Sequence, residues 1–219
     1  MSDLSDYRKS YEKSQLLESE LPEDPINLFN RWFYEVEEFG GVEEVNAMTV
    51  SSVGLDGFPK GRVVLLKKFN QEGFMFYTNY DSEKGKEIAQ NPKICLSFFW
   101  HSIERQVIIK GIAEKTSTAI SDSYFDSRPV GSKLGAMVSP QSKVIPSREF
   151  LSSKLAALED EFQGKEIKRP EHWGGYLVRP MSVEFWQGRP NRLHDRIRYT
   201  LENNIDWRIE RLKKKKKVN

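Results

Sequence analysis

Arg62-Val63-Val64-Leu65-Leu66-Lys67 is an apolar, β-branched run closed at each end by a cation. Such a run reads as a strand, here predicted over 62–69. Working outward, residues 48–53 form a similar run, and Asp56-Gly57 supplies the turn between the two. Downstream, strands are predicted over 74–78, 94–100 and 105–112, and beyond Pro170 over 175–179, 182–187, 192–200 and 207–212. Turn residues separate them, as in a meander or a small barrel. Helical signals lie between and around these runs. Asp24-Pro25 places an N-cap before a proline at the first helical position, and Leu28, Phe29, Trp32, Phe33 and Val36 follow on one face until Gly40-Gly41. Shorter helices are predicted over 82–90 and 118–127, and a longer one starts at Ser147 with Leu151, Leu155, Leu158 and Phe162 on one face. The pattern predicts a mainly β (α+β) chain: a single β-barrel domain with peripheral helices over 24–212. A flexible arm over 1–23 precedes it and a basic, disordered tail over 213–219 follows.

Composition narrows the class. The chain has 219 residues, 38% hydrophobic and 30% charged, which is enough to bury a core. The mean hydropathy of −0.62 fits a globular protein in water. No apolar run reaches bilayer length, and residues 1–19 are too polar to form a secretory leader, so a cytoplasmic protein is expected. The net charge is +2, but Lys213 to Lys217 alone carry five positive charges, so the body is mildly acidic. That argues against a nucleic-acid-binding body. Cys95 is the only cysteine and lies between Ile94 and Leu96, where a buried, inert thiol is expected. The three histidines, His101, His172 and His194, lack ligand spacing, so no metal site is expected. Phosphate-loop, dinucleotide-fingerprint and nucleophile-elbow motifs do not occur.

The chemistry must therefore be read from where basic residues fall. Side chains alternate across a strand, so Arg62 and Lys67 point to opposite faces and can serve two different anions. The same residues can equally be the solvated ends of a central strand. In Arg192-Leu193-His194-Asp195-Arg196-Ile197-Arg198, alternation sends Arg192, His194, Arg196 and Arg198 to one face. A row of cations repels itself unless an anion or acidic groups lie opposite. A histidine in such a row stays neutral near pH 7 and can hydrogen-bond as such. The alternative is an edge strand carrying protective charge. Tyr124 and Arg128 share a helix face if that helix continues, and after Pro129 a new turn begins at Gly131-Ser132. A phenol, a guanidinium and a hydroxyl converging there suit a phosphate monoester, although an ordinary arginine at a helix end reads the same. Ser82-Glu83-Lys84 lies at a helix start, where backbone N–H groups and Lys84 can receive an anion, or where Glu83 merely complements the dipole.

Taken in order, several segments resemble the pyridoxine (pyridoxamine) 5′-phosphate oxidase family. They are the 62–67 run, Phe76-Tyr77-Thr78-Asn79, Glu104-Arg105-Gln106-Val107, and Tyr124-Phe125-Asp126-Ser127-Arg128-Pro129. Gln141-Ser142, Trp173-Gly174-Gly175, Glu184-Phe185-Trp186-Gln187-Gly188 and Asn191-Arg192-Leu193-His194-Asp195-Arg196 complete the series. The resemblance spans about residues 24–212. It implies a split β-barrel and a homodimer with flavin mononucleotide (FMN) at the subunit interface. The implied reaction oxidises pyridoxine 5′-phosphate or pyridoxamine 5′-phosphate at C4′ to pyridoxal 5′-phosphate. Hydride passes to flavin N5, and O2 reoxidises the flavin to give H2O2.

Carried over residue by residue, the resemblance puts Arg62 and Lys84 on the FMN phosphate, with Val63, Val64, Leu65, Leu66 and Lys67 running along the cofactor. Tyr77, Thr78, Gln106, Gln141, Ser142, Trp186 and Arg196 complete the cofactor set. Lys67, Tyr124, Arg128 and Ser132 would grip the substrate phosphate. Arg192 and His194, with Leu193 between them, would line the substrate ring and its reacting carbon as the catalytic pair. Arg8 and Tyr11 match an Arg-x-x-Tyr element of an arm that closes over the site.

Two departures carry expectations of their own. Family members usually have Arg-Lys where this chain has Glu83-Lys84. A carboxylate beside a phosphate weakens binding by about 1 kcal/mol if partly shielded, so looser FMN retention is expected unless Glu83 turns to solvent. The family also commonly ends in Arg-Leu-Ala-Pro, whereas Arg211-Leu212 here runs into the lysine tail. Competing readings are a split-barrel protein that binds flavin or pyridoxal 5′-phosphate without turnover, and a split-barrel flavoprotein with another substrate. A third is an RNA- or membrane-associated module that uses the tail.

Overall fold

The computed structural model describes residues 2–138 and 141–213. Of the expected tail, Lys213 is exposed and follows the last strand; residues 214–219 lie outside the described residues.

In chain order the elements are α1 (Pro25–Phe39), β1 (Ala47–Val53), β2 (Pro59–Leu65), β3 (Lys68–Asn70), β4 (Gly73–Asn79) and α2 (Glu83–Gln90). Then come β5 (Lys93–Trp100), β6 (Arg105–Lys115), α3 (Thr118–Asp126), α4 (Val130–Val138) and α5 (Arg148–Glu161). β7 (Trp173–Gln187), β8 (Asp195–Glu202) and β9 (Asp206–Arg211) close the described chain. The strands hydrogen-bond in the order β2-β1-β5-β6-β7-β4-β3, with β8 joined to β7 and β9 joined to β8. The β3–β4, β4–β7, β7–β8 and β8–β9 pairs are antiparallel.

Local chemistry explains most of the boundaries. The Asp24 carboxylate accepts from Ile26 N at 2.7 Å and Gly40 (φ 74°) ends α1, so the two sequence signals act where expected. Ser82 and Ser147 cap α2 and α5 through their side-chain oxygens. Three expectations need correction. The strand expected over 62–69 is two strands, because β2 pairs with β1 whereas β3 pairs with β4, and the chain breaks at Leu66-Lys67 to change partner. The turn expected at Gly131-Ser132 is the start of α4: Pro129 O accepts from Ser132 N at 2.9 Å and Lys133 N at 3.1 Å. Proline here opens a helix. The strands expected over 175–179 and 182–187 are one strand, β7. Pro180 falls between the β4 register, which ends at Val178, and the β8 register, which begins at Ser182, so its missing N–H breaks neither ladder.

The described residues form two compact units, those within 1–50, 95–111 and 180–213 in the first, and those within 51–94 and 112–179 in the second. In the first, α1 buries Leu28, Phe29, Trp32 and Val36. Phe29 packs on Phe98 and Trp100, and Trp32 meets Phe185 edge-on at 5.1 Å. In the second, Phe125, Leu134, Ile167 and Trp173 form the buried cluster under Tyr77, Tyr124 and the apolar side of α5. Cys95, expected to be buried, is only half-buried, and burial still pushes its thiol pKa up.

Candidate active site

The second unit contains a cavity of about 490 Å³. Val63, Val64, Leu65 and Lys67 form one wall. Tyr77, Thr78 and Lys84 line it from β4 and α2, and Tyr124, Arg128 and Ser132 from the α3–α4 corner. Gln141 also lines it. Asn79, Pro129 and Trp173 belong to the lining too; each stood in a family-like segment but was given no site role from the sequence. The role of Trp173 as a platform depends on a stack no pattern announces. Tyr77, Tyr124 and Trp173 lie nearly parallel, with Tyr77 and Tyr124 centroids 3.9 Å apart. The Arg128 guanidinium sits 4.6 Å over the Trp173 ring.

Two cations in this unit differ in how they are satisfied. Lys84 is 8% exposed and donates to Thr78 Oγ1 at 2.7 Å. Burial, aided by the Arg62 charge and opposed by Glu87, pulls its pKa down to about 8. Arg128 has a buried Nη1 with no hydrogen-bond partner among the described residues. Burial also lowers its pKa. A buried, unpartnered guanidinium N–H beside an open cavity is the donor an anionic ligand completes.

Arg62 is placed differently. Its Nη2 donates to Glu87 at 2.7 Å and its Nη1 donates to Ser52 Oγ, also at 2.7 Å. Glu87 is 1% exposed, and the bonds from Arg62 and Ser52 outweigh the burial that would raise it, so its carboxyl pKa is held low. Glu83 pairs with Lys60 at 2.5 Å and lies 3.6 Å from Arg62, so it does not turn away to solvent alone. The structure thus puts Arg62 and Lys67 in different surroundings, while Lys84 opens onto the same cavity as Lys67. Leu66 is buried, and Ser142 is exposed at φ 68° outside the cavity lining.

The first unit holds the remaining candidates. Gln106, Trp186, Arg192, His194 and Arg196 line a cavity of about 330 Å³. Arg8, Tyr11, Arg192 and His194 share another of about 720 Å³ with Arg189 and Asn191. The alternation expected along 192–198 is overturned for its first half. Asn191 and Arg192 adopt left-handed φ values of 56° and 58°, and β8 begins only at Asp195. His194 is set by a bond instead: its Nδ1 accepts from Arg189 N at 3.0 Å, which leaves Nε2 as the protonated nitrogen. Its ring lies 4.7 Å from Trp186 and 5.8 Å from Tyr11. In the second half of the row, acidic groups do lie opposite. Arg196 donates to Glu184 and Arg198 to Glu210, each at 2.8 Å. Nor is β8 an edge, since β7 and β9 flank it. Leu193 is 72% exposed. Glu184, quoted only as part of a segment, and Arg189 were given no role from the sequence, because their partners are fixed by strand register and loop closure.

The geometry defines a cation-lined, aromatic-walled cavity and a second cluster built on a histidine beside two aromatic rings. The pyridoxamine 5′-phosphate oxidase family model matches residues 35–161, and the model of the pyridoxine 5′-phosphate oxidase C-terminal dimerisation region matches 173–213. The chain is 74% identical over 212 residues to a pyridoxine/pyridoxamine 5′-phosphate oxidase of Flavobacterium johnsoniae, covering 97% of this chain and 99% of that protein. It is 51% identical to the Bacteroides thetaiotaomicron oxidase, again over 97% of this chain and 99% of that protein. Among solved structures it resembles PhzG from Burkholderia lata, which was determined in complex with tetrahydrophenazine-1-carboxylic acid. The two are 28% identical with a TM-score of 0.84, over 91% of this chain and 98% of PhzG. The chain belongs to the pyridoxine/pyridoxamine 5′-phosphate oxidase family. It has that family's split-barrel fold and is an FMN-dependent oxidoreductase of vitamin B6 metabolism. No helix among the described residues is long and apolar enough to cross a membrane.

Proposed function

We propose that the chain oxidises pyridoxine 5′-phosphate or pyridoxamine 5′-phosphate at C4′ to pyridoxal 5′-phosphate, as a cytoplasmic homodimer with FMN at the subunit interface. The observation that carries this reading is the convergence of Lys67, Tyr124, Arg128 and Ser132 on one cavity, with Arg128 Nη1 buried and unpartnered. Two hydroxyls and two cations match the acceptor oxygens and charge of a phosphate monoester. The residues also fit FMN: a buried ammonium, Lys84, stands at the N-terminus of α2 and opens on the same cavity as Tyr77 and Thr78. When bound, FMN supplies the hydride acceptor and its reoxidation by O2.

The chain's own residues bind and orient. Lys84 holds the FMN phosphate, while Arg62, already bonded to Glu87 and Ser52, contributes its charge. Val63, Val64, Leu65, Tyr77 and Thr78 shape the wall beside the cofactor. Gln106, Trp186 and Arg196 form the remaining cofactor contacts, and Glu184 holds Arg196 in place. Lys67, Tyr124, Arg128 and Ser132 anchor the substrate by its phosphate, which fixes C4′ without touching it. His194 offers its Nε2–H to the substrate, because Arg189 N occupies Nδ1. Arg192 and His194 line the reacting end, and Arg8 and Tyr11 close over it.

The test is a coupled assay on the FMN-loaded protein supplied with pyridoxine 5′-phosphate or pyridoxamine 5′-phosphate, reading pyridoxal 5′-phosphate and H2O2 together. Equimolar formation of both is expected with at least one substrate. Yellow protein that forms neither product with either substrate would instead identify a flavin carrier.

A further inference from the structure

Glu104 is a buried carboxylate that the chemistry above does not use. It is 1% exposed, lies in the turn between β5 and β6, and adopts a left-handed φ of 60°. Its Oε2 accepts from Glu12 N at 2.8 Å and from Lys13 N at 3.1 Å. The Lys9 ammonium lies 3.5 Å from Oε1. A buried carboxylate is costly unless hydrogen bonds satisfy it, and here backbone N–H groups of the N-terminal segment do so. The turn itself is fixed from the other side, because Gly188 N donates to Glu104 O at 2.8 Å.

Tyr11, the residue before this anchor, meets Trp186 edge-on at 5.7 Å and lies 5.8 Å from the His194 ring. A Cβ at Gly188 would stand 2.8 Å from Tyr11 Cβ and 3.0 Å from Glu104 Cβ. The glycine therefore leaves only enough room for Tyr11 to sit against the turn. We propose that Glu104 is a positioning residue: it clamps residues 12–13 and so holds Tyr11 against His194 and Trp186 at the reacting end of the site. The clamp rests on the reading that this cluster faces the substrate, and the experiment separates the two.

Three variants of the FMN-loaded enzyme, Glu104→Ala, Glu104→Gln and Gly188→Ala, are compared with the parent. Trypsin cleavage after Arg8, Lys9 and Lys13 reads release of the segment, and KM, kcat and FMN affinity are measured alongside. Glu104→Ala and Gly188→Ala should each raise the cleavage rate and the KM for pyridoxine 5′-phosphate about tenfold, with kcat and FMN affinity within about twofold. Glu104→Gln should stay close to the parent, since one oxygen accepts both N–H groups and an amide keeps that oxygen. The clamp is overturned if Glu104→Ala cleaves no faster than the parent, or if Glu104→Gln opens as far as the alanine variant. Should Glu104→Ala fail to fold, Gly188→Ala decides: unchanged cleavage there overturns the clamp equally. A segment that opens while KM stays put keeps the clamp and removes the substrate-facing role of Tyr11.

Discussion

The depressed pKa of Lys84 turns the proposed FMN-phosphate contact into a pH experiment with a calculable size. The ammonium is 8% exposed, and burial brings its pKa to about 8. In the FMN-free protein it is therefore about nine-tenths charged at pH 7 and about one-tenth charged at pH 9. The FMN phosphate is already a dianion over that range, since its second pKa lies near 6. A bound dianion restores the lysine charge, so binding above pH 8 must take up a proton. The dissociation constant for FMN should rise about tenfold from pH 7 to pH 9, or about 1.4 kcal/mol. Riboflavin, which lacks the phosphate, should show no such slope, and Lys84→Met should abolish it. The same shift has the opposite sign for the stability of the FMN-free protein. Between its folded value of about 8 and the ordinary 10.5, Lys84 binds fewer protons folded than unfolded, so stability contributed by this group rises with pH. Tyr176 and Tyr199, pushed by burial up to about 12, begin to oppose that gain only as unfolded tyrosines ionise near 10. Urea midpoints should therefore climb from pH 8 to 9.5 while FMN affinity falls. Flat FMN affinity over this range, or an equal slope with riboflavin, would refute the assignment of Lys84 to the phosphate.

Glu83→Gln should tighten FMN two- to fivefold, about 0.5–1 kcal/mol, because the carboxylate is half-exposed and Lys60 at 2.5 Å already offsets part of its charge. Glu83→Arg should tighten it further, and equal affinities for the parent and both variants in a fluorescence titration would end the idea that Glu83 weakens retention. Arg192→Ala should cut kcat about 100-fold while FMN affinity stays within about twofold; if cofactor loss accounts for all of the damage, Arg192 does not act on the substrate. Arg128→Lys should raise the KM for pyridoxine 5′-phosphate by about tenfold or more, since an ammonium offers no planar fork and does not stack on Trp173 in the same way. An unchanged KM would remove Arg128 from the phosphate grip.

What the sequence made legible was local. The α1 start depends on Asp24 and Pro25, and its end on Gly40, all within a few residues of the bonds they make. Ser82 and Ser147 cap their helices for the same reason. Arg62 and Lys67 do reach different surroundings, but not by alternation along one strand: β2 stops at Leu65, and the chain changes partner at Leu66-Lys67. What failed depended on distant partners. Asn191 tolerates a left-handed φ, but nothing in the sequence marks Arg192 as its left-handed partner; closure of the loop by the Arg189 N–His194 Nδ1 bond accompanies the pair. The start of α4 was hidden by Gly131 and Gly135, which blur a helical pattern that Pro129 in fact opens.

A row of cations is stable only where each meets an acidic group or an anion, and the structure divides the basic residues along that line. Arg196 and Arg198 receive Glu184 and Glu210, Arg62 receives Glu87, Arg105 receives Glu35 and Arg169 receives Asp122. Lys67, Lys84, Arg128, Arg192 and Arg8 have no ion pair among the described residues, and each lines a cavity. A cation kept next to a cavity without an internal counter-ion remains available to a ligand, whereas one already paired must break a contact before it can serve. Lys67 and Arg128 are proposed for the substrate phosphate, Lys84 for the FMN phosphate, and Arg192 and Arg8 for the reacting end. The pairing pattern thus marks cations left available to a ligand, although Arg196, proposed at the cofactor, is paired with Glu184.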